Sequence, residues 1–444
     1  MRKLYLFLTA VLTAVLFTSC KADKTQYPDY VSGNPSDIYG NPIMETEDGF
    51  YTNLHSFNLS LCYYDKATGK AVFLCAKPEC QHDGNKYCTA TKKGVIYDGN
   101  ICKSGEYVYY AASEYVEEDE KEYCKLIRVR ADGTEFTELC TFQTTVNEGM
   151  MHSITGENYG RVMAVHRGYA IVPFYDFDLP ADTSECTPNT MIIDIDSGSY
   201  KRLSVPDTDL TETLYGQGDY FLYEDYLYYT ISMKQSKDKK SMYRYDLESG
   251  MTEKVDIPEI FASYAVIDGC IYYSTPTIGE TPSKLWRYDP ESGTTADMSE
   301  QLMIDGKPFA NANFLWNGEL FLVWDEHYWT GGTATPKNHS DKLLIMDKDG
   351  NALAVYDMWN APIPRRKNNR GEFLEYGLKS QNGKLYICTF LSSDDPRSGY
   401  NEDIRSLVLC CEISDIIDGK AQWYEPFDFY QLIKPKEKDN AGIA

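Results

Sequence analysis

The 444-residue sequence contains none of the short motifs that mark common catalytic sites. It has no G-x-S-x-G elbow, no Walker phosphate loop, no dinucleotide-binding glycine fingerprint and no H-E-x-x-H zinc motif. Its six histidines are scattered, at positions 55, 82, 152, 166, 327 and 339. We therefore expect a non-enzymatic protein. An enzyme whose site is assembled from distant segments stays open as the alternative, because such a site leaves no local motif.

Long apolar runs are also missing beyond the N-terminus. Met1–Lys3 is positively charged, residues 4–17 are apolar, and small residues precede Cys20, a pattern typical of a secretory signal that is too short to span a bilayer comfortably. The segment resembles the lipobox of bacterial lipoproteins, which implies cleavage before Cys20 and acylation of that cysteine, for example by palmitate. An ordinary signal peptide with an incidental cysteine is the alternative. We predict a signal at 1–19, a lipidated tether at 20–40 and a protein anchored outside the cytoplasm.

Basic residues are scarce relative to acidic ones. Lys and Arg total 43 and Asp and Glu 67, which gives a formal net charge of −24. Such a body repels nucleic acid and anionic headgroups, so we expect no nucleic-acid partner and membrane contact through the lipid anchor only. By contrast, Tyr is abundant, with 37 residues, and Tyr suits half-buried strands.

Cysteine is common, with 13 residues, of which 12 remain after the lipidated Cys20 is set aside. An even number permits disulfides in an oxidising compartment. Adjacent strand residues point to opposite faces, so Cys410 and Cys411 should not bond each other. Most cysteines lie within strand-like patterns and are predicted to be small core residues, among them Cys62, Cys124, Cys270, Cys388, Cys410 and Cys411.

One sequence motif recurs along the chain. It consists of a tight turn, an aromatic strand, a variable loop, and a second strand that ends in Tyr-Asp before another Gly turn. Residues 225–229 with 243–250, and 268–273 with 285–293, are its clearest copies. Seven copies can be traced, each readable as four short strands. The repeat predicts an all-β fold, a monomeric seven-bladed β-propeller of four-stranded antiparallel blades over 41–430, with a polar tail at 431–444. Six or eight blades are the alternatives.

The connections between strands differ systematically in length. Those between strands one and two, and between three and four, are short and rich in Gly, Asn and Asp, whereas those between strands two and three and between blades are long. In a propeller these two sets emerge on opposite sides, which we call the short-turn face and the long-loop face. Elaborated loops on a rigid scaffold usually carry binding, so we expect function on the long-loop face.

The most specific local motif lies in the connector after the first blade. Three thiols and one imidazole occur within fourteen residues, in a set we call the Cys–His cluster: Cys75, Cys80, His82 and Cys88. These side chains could close a tetrahedral zinc site, which would be structural because no obvious catalytic group accompanies it. A disulfide between two of the thiols, or plain core thiols, is the alternative. No other cofactor is indicated.

The segment 73–82 with 88–90, behind a lipobox and ahead of Tyr-rich repeats, resembles the uncharacterised propeller lipoproteins of gut Clostridia and their relatives. The later blades are similar to DUF5050-type and TolB-like propeller repeats. The resemblance implies a surface-anchored propeller and supplies no catalytic residue to transfer.

Two further segments are candidate ligand contacts. Aromatic rings beside carboxylates suit sugar recognition, and one such run follows Trp324: Asp325, Glu326, His327, Tyr328 and Trp329. A basic island in the acidic chain, Arg365, Arg366 and Lys367, could bind carboxylated glycans or an acidic partner. Packing of the aromatic rings against a neighbouring loop, and a solvated basic loop, are the respective alternatives.

Together these patterns predict a surface-anchored, non-enzymatic recognition module for an extracellular glycan or protein. A glycan- or peptide-acting enzyme that uses Asp325, Glu326 and His327 is one alternative, and a scaffold for envelope assembly is the other.

Overall fold

The structure is a computed structural model of the chain. It describes the following residues: 43–54, 60–82, 88–90, 95–96, 101–116, 121–144, 163–176, 187–203, 214–233, 236–257, 261, 263–275, 283–304, 307–308, 312–325, 342–368, 371–374, 376–391 and 406–432. The predicted signal at 1–19, the predicted tether at 20–40 with Cys20, and the run 326–329 lie outside the described residues.

Within the described residues, the strands form seven antiparallel blade sheets that follow one another along the chain, and two separate two-stranded hairpins. The strands of the first blade are β1 (Ile43–Glu45), β2 (Gly49–Leu54), β3 (Ser60–Asp65) and β4 (Lys70–Phe73). Those of the second blade are β5 (Val95–Ile96), β6 (Ile101–Ser104), β7 (Tyr107–Val116), β8 (Lys121–Arg130) and β9 (Thr137–Thr144), with β5 and β6 both paired to β7. Those of the third are β10 (Ala164–His166), β11 (Tyr169–Asp176), β12 (Thr187–Asp194) and β13 (Tyr200–Arg202).

The remaining blades continue in the same order. The strands of the fourth and fifth blades are β14 (Leu214–Tyr223), β15 (Tyr226–Met233), β16 (Ser236–Asp246), β17 (Thr252–Val255), β18 (Tyr264–Ile267), β19 (Cys270–Ser274), β20 (Leu285–Asp289) and β21 (Thr294–Asp297). A hairpin of β22 (Met303–Ile304) and β23 (Lys307–Pro308) precedes the sixth blade, whose strands are β24 (Ala312–Trp316), β25 (Phe321–Asp325), β26 (Lys342–Met346) and β27 (Ala352–Asp357). A hairpin of β28 (Arg366–Asn368) and β29 (Gly371–Phe373) precedes the seventh, which contains β30 (Tyr376–Gln381), β31 (Lys384–Phe390) and β32 (Ser406–Glu412).

The fold is a seven-bladed β-propeller, as the sequence predicts, because buried side chains join each blade to the next around a closed ring. Separate apolar clusters join blades one and two, two and three, three and four, six and seven, and seven and one, and a larger cluster spans blades four to six. A single blade cannot bury both of its faces by itself. The hydrophobic core therefore forms between neighbouring blades of the ring.

Alternation along a strand explains how one sheet serves two neighbours. In β7, Val108 and Tyr110 pack towards the first blade, whereas Tyr109 and Ala111 pack towards the third. Successive side chains of a strand point to opposite faces, so a strand buried on both sides is apolar at nearly every position. This requirement accounts for the many Tyr residues, whose rings fill the gaps between blades.

The short turns are confirmed at the residues that the sequence indicates. Asn382 and Gly383 have φ angles of 52° and 74°, which is the left-handed pair that a two-residue hairpin turn requires. The acids before the outer turns hold those turns together. Asp246, for example, accepts from the N–H groups of Glu248 and Ser249 at 2.8 and 2.9 Å.

Two long connections are shorter in the structure than the sequence suggests. The predicted loops in the second and fourth blades are instead strand, since β7 and β8 pair as far as Val116 and Lys121 and β15 and β16 as far as Met233 and Ser236. Second and third strands are separated by ten or more residues in the third, fifth, sixth and seventh blades, by 177–186, 275–284, 326–341 and 391–405.

The seventh blade also departs from the regular plan. Its outer turn is preceded by a short helix, α1 (Ile413–Ile417), and its fourth strand is reduced to one bridge between Cys410 and Tyr424. Helix α1 forms because Ile413 and Ile416 lie on one side and are buried against the sixth blade's cluster. Three 3₁₀ helices, Ser299–Gln301, Met358–Asn360 and Phe429–Leu432, complete the described helical segments. All of these helices are too short to traverse a lipid bilayer.

The first and last blades meet through side-chain packing, and no strand is exchanged between them among the described elements. Phe50 and Cys62 of the first blade pack against Tyr386 and Cys410 of the last. The 3₁₀ helix at the C-terminal end reinforces this seam, because the Gln431 side chain donates to Gly69 O at 3.0 Å.

Candidate metal centre

The Cys–His cluster lies where the chain leaves the outermost strand of the first blade. After β4, the backbone N–H of Ala76 donates to Gly133 O at 3.3 Å, in the turn between β8 and β9. Gly133 has a φ of +82°, and a Cβ there would lie 2.9 Å from Ala76 N and 3.0 Å from Cys75 N. The cluster is therefore built against an outer turn of the second blade, at the edge between the two blades.

The four side chains converge, although their sequence spacing is irregular. The three sulfur atoms and the imidazole nitrogen all lie within 4.8 Å of one another. His82 Nδ1 is 3.4 Å from Cys88 Sγ. No sulfur–sulfur bond joins the cysteines in the described part of the chain. The fold thus brings together all four residues that the sequence singles out.

Cys75 is surrounded by hydrogen-bond donors. Burial acts to raise its pKa, but the hydroxyl of Thr89 and the backbone N–H groups of Lys77 and Thr89 outweigh burial and lower the pKa to about 7. Hydrogen bonds to the charged form favour that form, so this sulfur is disposed to be a thiolate. A thiolate is the form of cysteine that binds metal ions.

Cys80 lies between the other two thiols. Burial raises its pKa to about 11, the backbone N–H of His82 opposes this rise, and the neighbouring sulfurs of Cys88 and Cys75 add to it. Like charges packed together disfavour ionisation, so three adjacent thiolates require a cation among them.

His82 is held in an unusual backbone conformation. Its φ is 51°, in the left-handed region that non-glycine residues seldom occupy. Its ring packs on Phe73, with ring centroids 4.7 Å apart. These two constraints aim the imidazole at Cys88, which is only 2% exposed.

The remaining predicted core thiols are buried in strands, as the sequence indicates. Cys410 packs in the cluster between blades seven and one, whereas Cys411 packs between blades six and seven. Their side chains point to opposite faces of β32, which confirms that they do not bond each other.

The other candidate residues are only partly described. Trp324 is half-buried at the end of β25, and Asp325 pairs with Ala312 through the backbone. Glu326, His327, Tyr328 and Trp329 lie outside the described residues.

The basic island is placed partly in a strand. Arg365 is exposed, with its guanidinium 5.3 Å from the centre of the Trp359 ring. Arg366 and Lys367 belong to β28, opposite Phe373 and Glu372. These two residues thus lie in a short hairpin within the connection between the sixth and seventh blades.

Sequence reasoning misses one charged site, a buried ion-pair network at the seam of the ring. The Glu45 side chain, only 2% exposed, accepts from Lys384 at 2.6 Å, from Lys66 at 2.8 Å and from the Tyr386 hydroxyl at 2.5 Å. Burial alone would raise the pKa of Glu45, but these donors outweigh burial and lower it. No local signal marks Glu45, because its partners lie far away in the sequence.

Comparisons with known proteins support the fold. No protein-family model matches the sequence, and no curated protein matches it. A solved prolyl endopeptidase structure resembles it with a TM-score of 0.51 and 11% identity, over 96% of this chain and 55% of that one. A puromycin-hydrolysing peptidase of Mycobacterium tuberculosis has a TM-score of 0.43 and 14% identity, over 83% of this chain and 53% of that one. An oligogalacturonate lyase of Vibrio parahaemolyticus has a TM-score of 0.45 and 10% identity, over 82% of this chain and 89% of that one.

The chain spans about half the length of the peptidases that it resembles. At 11% identity, the similarity to the prolyl endopeptidase shows the fold alone.

Proposed function

We propose that this protein is a lipid-anchored recognition module that binds an extracellular glycan or protein through its long-loop face. The observation that carries the proposal is the asymmetry of the propeller. Turns between first and second strands include 167–168, 268–269 and 382–383, whereas connections on the other side include 326–341 and 391–405. A propeller whose long connections emerge on one face is suited to bind a ligand with the side chains of those connections.

The chemistry of the long connections favours a polar ligand. The run after Trp324 combines aromatic rings with carboxylates, which suits stacking on sugar faces and hydrogen bonding to sugar hydroxyls. The connector before the last blade adds Arg365, whose guanidinium is exposed beside Trp359. A planar guanidinium of this kind can pair with a carboxylate of a glycan or of a protein.

The anchor follows from the N-terminal sequence. Cys20 after small residues, together with the resemblance to propeller lipoproteins, supports acylation and retention at the outer side of a bacterial membrane. A tether of some twenty residues would then hold the propeller away from the lipid surface. The net charge of −24 argues against a second, electrostatic attachment to anionic lipid.

The binding claim is tested with the full chain, expressed with its own leader in a bacterial host and purified in detergent. A glycan array and a panel of extracellular proteins are probed with wild-type protein, with Trp329→Ala and with Arg365→Ala. Lys254→Ala is the matched control, because Lys254 is exposed and lies in β17 on a different blade.

We expect one class of glycan or protein to bind wild type and the control equally, and to lose affinity at least tenfold in one of the two test variants. Binding to no member of either panel would overturn the recognition proposal. A stable complex with envelope proteins that is insensitive to both test variants would favour the scaffold alternative instead.

A further inference from the structure

We propose that the Cys–His cluster binds one Zn²⁺ ion, which ties the connection between the first and second blades to the Gly133 turn. None of its four ligands belongs to the segments proposed above as ligand contacts, Asp325–Trp329 and Arg365–Lys367. Its role would be structural.

The geometry fits a tetrahedral ion. With Zn–S bonds of about 2.3 Å and Zn–N bonds of about 2.0–2.1 Å, the edges of the ligand tetrahedron measure about 3.5–3.8 Å. The four donor atoms here all lie within 4.8 Å of one another, and the edge from His82 Nδ1 to Cys88 Sγ is 3.4 Å. The longest edge, up to 4.8 Å, would contract by about 1 Å when an ion completes the site.

The donor set selects zinc by its chemistry. Three thiolates and one imidazole are soft or borderline ligands, which disfavour Ca²⁺ and Mg²⁺ and suit a four-coordinate Zn²⁺ ion. All four positions are filled by protein, so no position is left for a reactive water molecule. Such closed sites stabilise folds rather than catalyse reactions.

Two of the sulfurs accept amide hydrogen bonds of the kind that metal-bound thiolates accept. The N–H of Lys77 is directed at Cys75, and the N–H of His82 is directed at Cys80, each two residues beyond its cysteine. Amide donors to sulfur stabilise negative charge that a metal ion then shares, whereas a disulfide sulfur carries no such charge. A disulfide would also use two of the thiols and leave the third beside the imidazole.

The position explains why a metal ion is useful there. The described residues 74–82 and 88–90 contain no strand, and the first part is joined to the second blade through Ala76 and Gly133. Residues 75–82, none of which is buried, gain stability from metal bonds, as small metal-bound domains do. The ion would thus fix the first blade to the second.

The test is elemental analysis of the full chain, purified without chelator and without added reductant, together with intact mass and thiol alkylation. We expect about one equivalent of zinc. Cluster thiols should resist alkylation until a chelator is added, and Co²⁺ exchanged into the site should give the intense visible absorption of a tetrahedral thiolate complex. Cys140→Ala, which removes a buried thiol of β9 outside the cluster, should keep its zinc.

Cys80→Ser and His82→Gln should each lower zinc occupancy at least fivefold. If these variants do not fold, wild type still decides the matter through its metal content and its cobalt spectrum. Zinc below one fifth of an equivalent would overturn the proposal. The same holds for an intact mass two hydrogens lighter, whose peptide map shows a bond between cluster cysteines.

Discussion

The carboxylate of Glu45, in the first strand of the first blade, lies 2.6 Å from the ammonium group of Lys384, which is 339 residues further along the chain in the last blade. Lys66 and Tyr386 complete the site, and the Gln381 side chain donates to Glu45 O at 2.9 Å. The two ends of the ring are therefore joined by a buried charge contact as well as by apolar packing.

Removing the charge of Glu45 should destabilise the propeller. Glu45→Gln leaves the ammonium groups of Lys384 and Lys66 side by side, so we expect a loss of about 2–3 kcal/mol. This is below the cost of breaking a fully buried pair, because Lys384 and Lys66 keep 20% and 31% of their side-chain exposure. Urea denaturation followed by tryptophan fluorescence measures the loss.

The matched control is Lys420→Gln, which removes an exposed pair with Asp418 at 3.1 Å. Its effect should stay below about 1 kcal/mol. Equal losses in the two variants would show that the Glu45 network does not close the ring.

The same network predicts a pH dependence. The pKa of Glu45 is lowered in the folded state from its ordinary value of 4.5, so its contribution to stability is complete above that value and is lost as pH falls through the folded pKa. Denaturation midpoints of wild type and Glu45→Gln should therefore converge as the pH is lowered below about 4.5. A difference that stays constant down to pH 2 would contradict this assignment.

Adding one methyl group at Gly133 should disturb the Cys–His cluster. Gly133→Ala places a Cβ 2.9 Å from a backbone nitrogen at a positive φ, so we expect a loss of about 2 kcal/mol or more and weaker zinc retention. Gly293→Ala is the control, since its φ is +67° but nothing lies within 4 Å of the new Cβ. That variant should lose about 1 kcal/mol and no zinc. Thermal unfolding and metal analysis of the two proteins give the comparison.

Metal removal should loosen one segment selectively. If zinc holds the connection after β4, chelation should speed hydrogen exchange in peptides covering 74–90 and leave the hairpin of β18 and β19 unchanged. The reason is that metal bonds, rather than strand pairing, fix the connection, whereas β18 and β19 pair along their whole length. Uniform acceleration across all blades would instead indicate global destabilisation.

Local signals explain what could be predicted from the sequence. Asn382-Gly383 forms a turn by itself, and the Asp246 carboxylate accepts hydrogen bonds from residues a few positions away. Because such contacts are local, the turns and the strand order can be predicted from the sequence. The alternation of buried side chains also predicts that Cys410 and Cys411 point apart. The Cys–His cluster was recognisable because its members lie close together in the chain.

Non-local contacts explain what could not be predicted. The sequence around Glu45 does not indicate that Lys384 contacts it, and the sequence around Gly133 does not indicate that Cys75 lies beside it. Helix α1 replaces a simple hairpin because Ile413 and Ile416 find an apolar neighbour in the sixth blade. The extended hairpins at Val116 and Met233 likewise depend on pairing that polar sequence patterns do not reveal.

The central claim is that the propeller binds a ligand without transforming it. The most direct measurement is to incubate the ligand found by array or panel with the full chain and to analyse it by mass spectrometry after many binding cycles. The account predicts that the ligand is retained by the protein and returns with its mass unchanged. Release of cleaved or otherwise altered product, lost in His327→Ala, would contradict the account and show that the protein is an enzyme.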